Sequence, residues 1–327
     1  MPDSTHDPDP DPERGLGLGI DAGGTQTRWA LADVDGVVAA EGHVAGLSAL
    51  QLSNEGGRAQ FRSELARLAA AVAPHGRPGR VRAGLTGFGG DGESISGALA
   101  QALGVAPDAV TLSSDIEIAY AANFGPGQGY LVYAGTGSIG AFIDTAGTLH
   151  RAGGRGVALD DGGGGYWIAR EAMRAIWRAE DECPGRWRGS PMAHAVFAHV
   201  GGSDWADSRR FMYAQERGAV GRLAMAVASA ADSDPAAADI LRGAGVELAR
   251  LALALAARHG PRPVVLSGRA AALHPMLFGA MRKALPASTE LVHSTARAHV
   301  AAARCAARTL SPYVRQHEGN SMMETAA

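Results

Sequence analysis

The segment Gly19-Ile20-Asp21-Ala22-Gly23-Gly24-Thr25-Gln26-Thr27 places a carboxylate two residues before a Gly-Gly-Thr turn. A phosphate chain needs backbone N–H donors, hydroxyl donors and no Cβ in the way, and Gly23, Gly24, Thr25 and Thr27 offer all of these. Asp21 closes an apolar run and could hold Mg2+ through water, since a hard cation prefers oxygen ligands and keeps part of its hydration. Taken alone, the segment is equally a tight hairpin with polar turn residues. A second turn, Gly135-Thr136-Gly137-Ser138, carries the same chemistry. Two facing glycine/hydroxyl hairpins can grip a nucleotide's phosphates from both sides, so the pair favours a nucleotide site. Neither turn fits GxxxxGK[ST], and neither opens a helix as a dinucleotide GxGxxG does, which sets aside P-loop and nicotinamide chemistry.

Ser113-Ser114-Asp115 follows a short apolar strand. Transfer of a phosphoryl group to a hydroxyl needs a carboxylate that orients the hydroxyl and takes its proton. Asp115 at a strand end suits that role, but it also suits a helix N-cap for the segment from Ile116 onward, and without context the cap is favoured. The fourth group is Gly153-Gly154-Arg155-Gly156 with Asp160-Asp161-Gly162-Gly163-Gly164-Gly165-Tyr166-Trp167. A glycine-rich loop with two adjacent carboxylates leading into a helix makes a neighbourhood for sugar hydroxyls and phosphate. Its alternative is a flexible surface loop capped by Asp.

The elements that must position these groups can be read from periodicity and turn residues. Apolar runs over 16–21, 27–34 and 37–44 predict three strands of an antiparallel meander, with Asp35-Gly36 turning the second into the third. A helix is predicted over 57–73, a strand over 81–85, a helix over 94–103 and a strand over 109–112. A second meander opens with strands over 130–134 and 139–144 and a turn at Ala146-Gly147. The two openings resemble each other: strand, glycine/threonine turn, strand ending in Asp, then a turn closing on Gly36 or Gly147. Beyond Gly165, helices are predicted over 166–179, 192–200, 208–231 and 235–259. A strand over 264–266, a helix, a strand near Leu291–Val292 and a last helix over 296–310 complete the chain. Mixed elements with two similar sheet openings predict an α/β protein of two lobes with a cleft between them.

Composition bounds the function. The 327 residues suffice for two domains, and 46% of them are apolar. With a net charge of −3 and no basic run, no nucleic-acid partner is expected. No run of 18 apolar residues occurs, so no membrane span is expected. Residues 1–14, rich in Asp and Pro, read as a disordered leader rather than a secretory signal. Two remote cysteines, Cys183 and Cys305, with no CxxC or Cys/His cluster, argue against a structural zinc site or an iron–sulfur cluster and fit a reducing cytoplasm.

These motifs, in this order over about 16–310, resemble the N-acetylglucosamine kinase and BadF/BadG/BcrA/BcrD-type ATPase family of the actin/hexokinase/Hsp70 superfamily. The resemblance implies a two-lobed, actin-like (ribonuclease H-like) ATPase fold with a nucleotide cleft between duplicated domains. It implies domains over 15–114, joined by the last helix 296–310, and over 115–295, with a tail over 311–327. It implies ATP and Mg2+, phosphates at Gly23, Gly24, Thr25, Thr27 and at Gly135, Thr136, Gly137 and Ser138, with Mg2+ held by Asp21 through water. It places the adenosine on the turn Ser267, Gly268 and Arg269 that comes after the strand from Val264. Asp115 falls at the family's catalytic Asp, and Gly154, Arg155, Gly156 and Asp161 on its sugar loop. The resemblance also implies a homodimer, a small-molecule sugar substrate and a cytoplasmic location.

The chain departs from the family at four places: Leu50 stands for a sugar-binding Asn, Ile139 for an Asn, Arg155 for a Trp, and Gly162 for the Glu of GDEGS. Losing hydrogen-bonding side chains weakens recognition of a polar substrate. The expected activity is therefore phosphorylation of an amino sugar or a related sugar, with Arg155 raising the case for an acidic one such as N-acetylmuramic acid. The alternative is a sugar or nucleotide sensor of the same fold. Activators of 2-hydroxyacyl-CoA dehydratases need a cysteine-held cluster, and sugar kinases or repressors of the ROK type carry a Cys-rich zinc motif, so both are disfavoured.

Overall fold

The structure, a computed structural model, describes residues 15–89 and 92–310. The expected leader over 1–14 and tail over 311–327 lie outside the described residues. The chain divides into two compact units, one running to Ala122 and resuming at Ala296, the other Asn123–Thr295. The first therefore extends past the expected boundary at Ser114. The helix that begins at Asp115 belongs to it, because Ile118 is buried against the sheet at Gly84.

The first unit carries β1 (Leu16–Ala22), β2 (Gln26–Ala32), β3 (Val38–Ala45), α1 (Glu55–Val72), β4 (Pro78–Leu85), α2 (Gly92–Leu103), β5 (Val110–Ser114) and α3 (Asp115–Ala121). The second carries β6 (Tyr130–Ala134), β7 (Ser138–Ile143), β8 (Leu149–Gly153), α4 (Gly165–Glu182), α5 (Pro191–Val200), α6 (Trp205–Ala214), α7 (Arg217–Gly221), α8 (Leu223–Ala230), α9 (Pro235–His259), β9 (Val264–Ser267), α10 (Pro275–Ala284) and β10 (Leu291–His293). The last helix, α11 (Ala298–Arg308), returns to the first unit.

The two five-stranded sheets share one topology. Their orders are β3-β2-β1-β4-β5 and β8-β7-β6-β9-β10, each a three-stranded antiparallel meander extended by two parallel strands. The likeness extends to single hydrogen bonds. Asp33 Oδ1 accepts from Asp35 N at 3.0 Å and Val37 N at 2.9 Å, and Asp144 Oδ1 accepts from Ala146 N at 3.0 Å and Thr148 N at 2.9 Å. Gly36 and Gly147 close these turns at the same φ of 83°, a left-handed conformation that a glycine adopts without a Cβ penalty. Two aspartates thus perform one turn twice.

One face of the first sheet is covered by α1 and α2, whose Phe61, Leu65, Leu68, Ile95 and Leu99 pack on Leu18, Ile20 and Leu31. The other face takes α11 so closely that its backbone rests on β1. A Cβ on Gly17 would lie 2.1 Å from Ala307 N, and one on Gly19 would lie 2.0 Å from His299 O. In the second unit, α4, α5, α8, α9 and α10 bury a continuous core with β6, β7 and β9. The single helix expected over 208–231 is instead α6, α7 and α8. Gln215 and Glu216 are extended, with ψ of 151° and 152°, and Gly218 and Gly221 weaken the helix around them. Past the break α7 packs on the start of α4, where a Cβ on Gly165 would lie 3.0 Å from Gly221 O.

Candidate functional site

In the first unit, the strand register sets Ala22, Leu85 and Ser114 side by side at the carboxyl ends of β1, β4 and β5. Ligands of open α/β sheets bind outside these ends. The ladder continues one step further, where Thr86 N donates to Ala22 O at 2.9 Å. Asp115 is not the N-cap of α3. Ser114 is, with a complete capping box: Ser114 Oγ accepts from Glu117 N at 3.3 Å, and Glu117 Oε2 accepts from Ser114 N at 2.8 Å. The capping duty is thereby lifted from Asp115, whose Oδ2 accepts from Thr86 Oγ1 at 2.5 Å and whose Oδ1 accepts from Ile116 N at 2.9 Å. Each carboxylate oxygen is anchored once and keeps a lone pair for a substrate.

Nothing in the sequence marks Thr86. Its hydroxyl holds Asp115, while its carbonyl accepts from Ser48 Oγ at 3.0 Å and Ala49 N at 3.1 Å. The loop it grips lies against the first hairpin, since a Cβ on Gly46 would fall 2.2 Å from Gly24 O. Gly24 and Thr25 form the exposed tip of that hairpin, closed by Gly23 N donating to Gln26 O at 3.1 Å. Thr27 differs from expectation. It is 0% exposed, and its hydroxyl accepts from Leu47 N at 2.8 Å, so it holds the loop from behind the turn rather than presenting a donor at the surface. Leu50, 55% exposed, covers Gly87, the residue after Thr86.

Asp21 is partly buried, and its pKa is raised to about 6, chiefly by burial and further by the charge of Asp115, with Arg28 opposing. Among the described residues no group of three or more His, Cys, Asp or Glu could cage a metal. A lone carboxylate with a second one nearby fits an ion that keeps most of its waters and leans on phosphates, which is the habit of Mg2+. The raised pKa has a stability consequence. The carboxyl stays protonated in the fold above 3.8, its ordinary value, where the unfolded chain has released its proton. This contribution is whole below pH 3.8 and disappears as the pH rises through about 6, a loss of about 3 kcal/mol. Asp21→Asn should therefore raise the melting temperature at pH 7.5 and flatten its fall between pH 4 and 7. Parallel melting curves for the two proteins across that range would contradict the assignment.

In the second unit, the hairpin Gly135–Ser138, the loop 154–164 and the turn after β9 leave one end of the sheet. Gly135 O and Thr136 O accept from Gly165 N and Tyr166 N, both at 2.9 Å, so the hairpin is clamped on the start of α4. Ser138 is buried, and its hydroxyl donates to Gly162 O at 2.7 Å. The glycine run is a requirement of close approach, because a Cβ on Gly164 would fall 2.6 Å from the Gly137 backbone. Ser267 pairs with Tyr133, and Gly268 sits against Ala134 O, which brings Ser267, Gly268 and the exposed Arg269 beside the hairpin.

The two adjacent carboxylates separate. Asp160 is taken by Arg250 of α9, with contacts of 3.0 and 3.2 Å. Asp161 is 8% exposed, accepts from Gly156 N at 3.1 Å and lies against Gly137. Burial, with the Asp160 charge adding, pushes its carboxyl upward against the Gly156 hydrogen bond. Its φ of 57° is the one positive value at a non-glycine among the described residues, a strain of about 1 kcal/mol that clusters at functional positions. Gly154 and Arg155 are exposed beside it.

The profile of the BadF/BadG/BcrA/BcrD ATPase family matches residues 18–303. The chain belongs to this family. No curated protein matches it by sequence at a significant level. Among solved structures, this family member is similar to a protein provisionally named N-acetylglucosamine kinase from Chromobacterium violaceum, at 27% identity and a TM-score of 0.68, over 90% of this chain and 100% of that one. A protein given the same provisional name from Porphyromonas gingivalis is similar at 18% identity and a TM-score of 0.70, over 91% and 99%. A ROK family glucokinase from Streptomyces griseus, solved with glucose and AMPPNP, is similar at 18% identity and a TM-score of 0.57, over 91% and 100%. The latter two show the fold alone, a mixed α/β fold. Among the described residues no helix is long and apolar enough to cross a membrane.

Proposed function

We propose that this ATPase-family chain is a cytoplasmic kinase that transfers a phosphoryl group from ATP to a hydroxyl of an amino sugar or a close relative. The observation that carries the reading is Asp115: both carboxylate oxygens are anchored, by Thr86 and by Ile116 N, one residue beyond the strand end and beside the Gly23-Gly24-Thr25 turn. Asp115 orients the acceptor hydroxyl and receives its proton as the new O–P bond forms and the bond from the γ-phosphorus to ADP breaks. The N–H groups of the two glycine turns would hold the phosphates, Asp21 would hold a hydrated magnesium ion, and Ser267, Gly268 and Arg269 would receive the adenosine. Magnesium, when bound, neutralises charge on the phosphates. Gly154, Arg155, Gly156 and Asp161 receive the sugar. The provisional name of the Chromobacterium violaceum protein supports an amino sugar.

The test is ADP release with Mg·ATP and glucosamine, N-acetylglucosamine, N-acetylmuramic acid, N-acetylmannosamine or glucose. Release that depends on one of the amino sugars is the expected result. If Arg155 reads a carboxylate, Arg155→Ala should raise KM for the acidic sugar at least about tenfold, the worth of one charge-assisted contact, and leave neutral sugars unchanged. An unchanged preference sinks that assignment. One observation favours a second reading, a sensor that binds without turnover: Leu50, 55% exposed, presents an apolar side chain beside the residue that anchors Asp115. ATP binding without sugar-dependent release would move the weight there.

A further inference from the structure

Away from the strand ends that carry Asp21 and Asp115, the first unit contains a groove of about 310 Å3 between α3 and α11, floored by β4. Its charged lining is of one sign. Arg82 rises from β4, and Arg304 and Arg308 project from α11, with Cys305 between them and Ile118 and Ala122 completing the wall. Among the described residues no carboxylate lines the groove, although the chain as a whole has a net charge of −3. The arginines are held by neutral groups. Arg82 Nη1 donates to Cys305 Sγ at 2.9 Å, and Arg304 Nε donates to Gly36 O at 2.9 Å. Neither bond neutralises a guanidinium, so the charge stays available to something that enters.

The close seating of α11 on Gly17 and Gly19 fixes which face of the helix is turned to α3. Residues 301, 305 and 308 keep helical spacing along one stripe, and all three line the groove. The three arginines therefore start from a sheet and a helix rather than from mobile loops. The Arg304 guanidinium is held toward the turn between β2 and β3 by Gly36 O, from which it must swing to reach an anion in the groove. Planar forks pair bidentately with phosphate and carboxylate oxygens, and a cavity of this size is at the lower end for a small-molecule ligand. Both chain crossings also start here. α3 ends at Ala121, next to the last residue of the first unit, and α11 begins two residues after the chain resumes at Ala296.

We infer that this groove is an anion site for a phosphate group, carried by a small phosphate monoester or by free phosphate, distinct from the candidate nucleotide-phosphate turns. Three arginines at one cavity favour a compact dianion over a monoanion, because each added guanidinium gains from the second charge. Arg82 is the central ligand, since it is half-buried where Arg304 and Arg308 are exposed, and those two close on the anion from the helix.

The experiment is a thermal-shift titration of the full chain, at constant ionic strength and with saturating Mg·ADP so that the nucleotide turns are occupied. Inorganic phosphate, glucose 6-phosphate and succinate are the probes. Saturable stabilisation by phosphate or by the sugar phosphate is expected, with succinate weaker by tenfold or more; the tighter of the two phosphates identifies the source. Arg308→Gln and Arg304→Gln, both exposed positions that leave the core untouched, should each weaken the apparent affinity at least tenfold. Arg82→Lys, which keeps the charge but loses the fork, should do the same. Equal affinity in wild type and the Arg308 variant, a succinate response equal to that of phosphate, or no saturation with any probe would overturn the inference.

Discussion

Asp115→Asn should reduce sugar-dependent ADP release roughly a thousandfold, the usual scale for removing a positioned general base, while leaving ATP affinity nearly intact. The amide nitrogen cannot take a proton, and it must replace an oxygen that now accepts either from Thr86 Oγ1 or from Ile116 N. The orientation that sets the amide against Ile116 N opposes two donors, so the amide nitrogen faces Thr86, whose hydroxyl can accept from it, and the fold is kept while the proton acceptor is lost. The fold should not suffer. Asp115 raises the pKa of Asp21, after burial itself, so the neutral side chain relieves a repulsion and the melting temperature should be unchanged or higher. A stable variant with activity comparable to wild type would remove Asp115 from the mechanism. Thr86→Val offers a graded companion, because it keeps the base but frees one of its oxygens. A smaller fall in turnover there, with KM for ATP unmoved, separates positioning from proton transfer.

Gly19→Ala should be the most damaging small substitution in the first phosphate-turn segment. The added methyl would stand 2.0 Å from His299 O and 2.2 Å from Ala303 N. Both are main-chain atoms of α11, and no rotamer change can move them. Overpacking of this kind costs about 3 kcal/mol or more when backbone must shift, which corresponds to a melting temperature lower by roughly 10 °C for a unit of this size. Gly24→Ala provides the contrast within the same nine residues. Nothing among the described residues lies within 4 Å of a Cβ there, so the fold should be indifferent and the cost should appear in ATP affinity. Equal melting temperatures for the Gly19 variant and wild type would mean that α11 does not rest on β1.

The Gly19 and Gly24 contrast shows how far residue type can be read. From sequence Gly24 lies in a phosphate-type turn, where approach of a ligand is the apparent reason for a glycine, and Gly19 lies in the strand before it with no reason on view. For Gly19 the approaching group is a helix more than 270 residues later in the chain. The same limit applies to Thr27, whose hydroxyl turns to Leu47 N rather than outward, and to Ser138, whose hydroxyl serves Gly162 O. Spacing identifies a hydroxyl near a turn, but the side of the turn it faces depends on which loop packs behind it.

Some features were local and therefore legible. Apolar runs broken by Gly, Thr and Asp fix strands and their turns within a few residues, because turn chemistry acts over three or four positions. The duplicated meander could be read for the same reason: Asp33 with Gly36, and Asp144 with Gly147, are complete turn instructions in themselves. What remained for the tertiary structure were the choices among several locally acceptable states. Ser114 and Asp115 are both good caps, and the end of the β5 ladder against Leu85 gives the role to Ser114. Residues 208–231 could make one helix, and extended backbone at Gln215 and Glu216 divides α6 from α7 and α8. Thr86 has no signature at all until parallel pairing puts it beside Asp115. Sequence by itself determined the turns, the strands and the carboxylates at their ends; long-range packing determined which of those side chains were left free to act, because a hydrogen bond used by the fold is no longer available to a substrate.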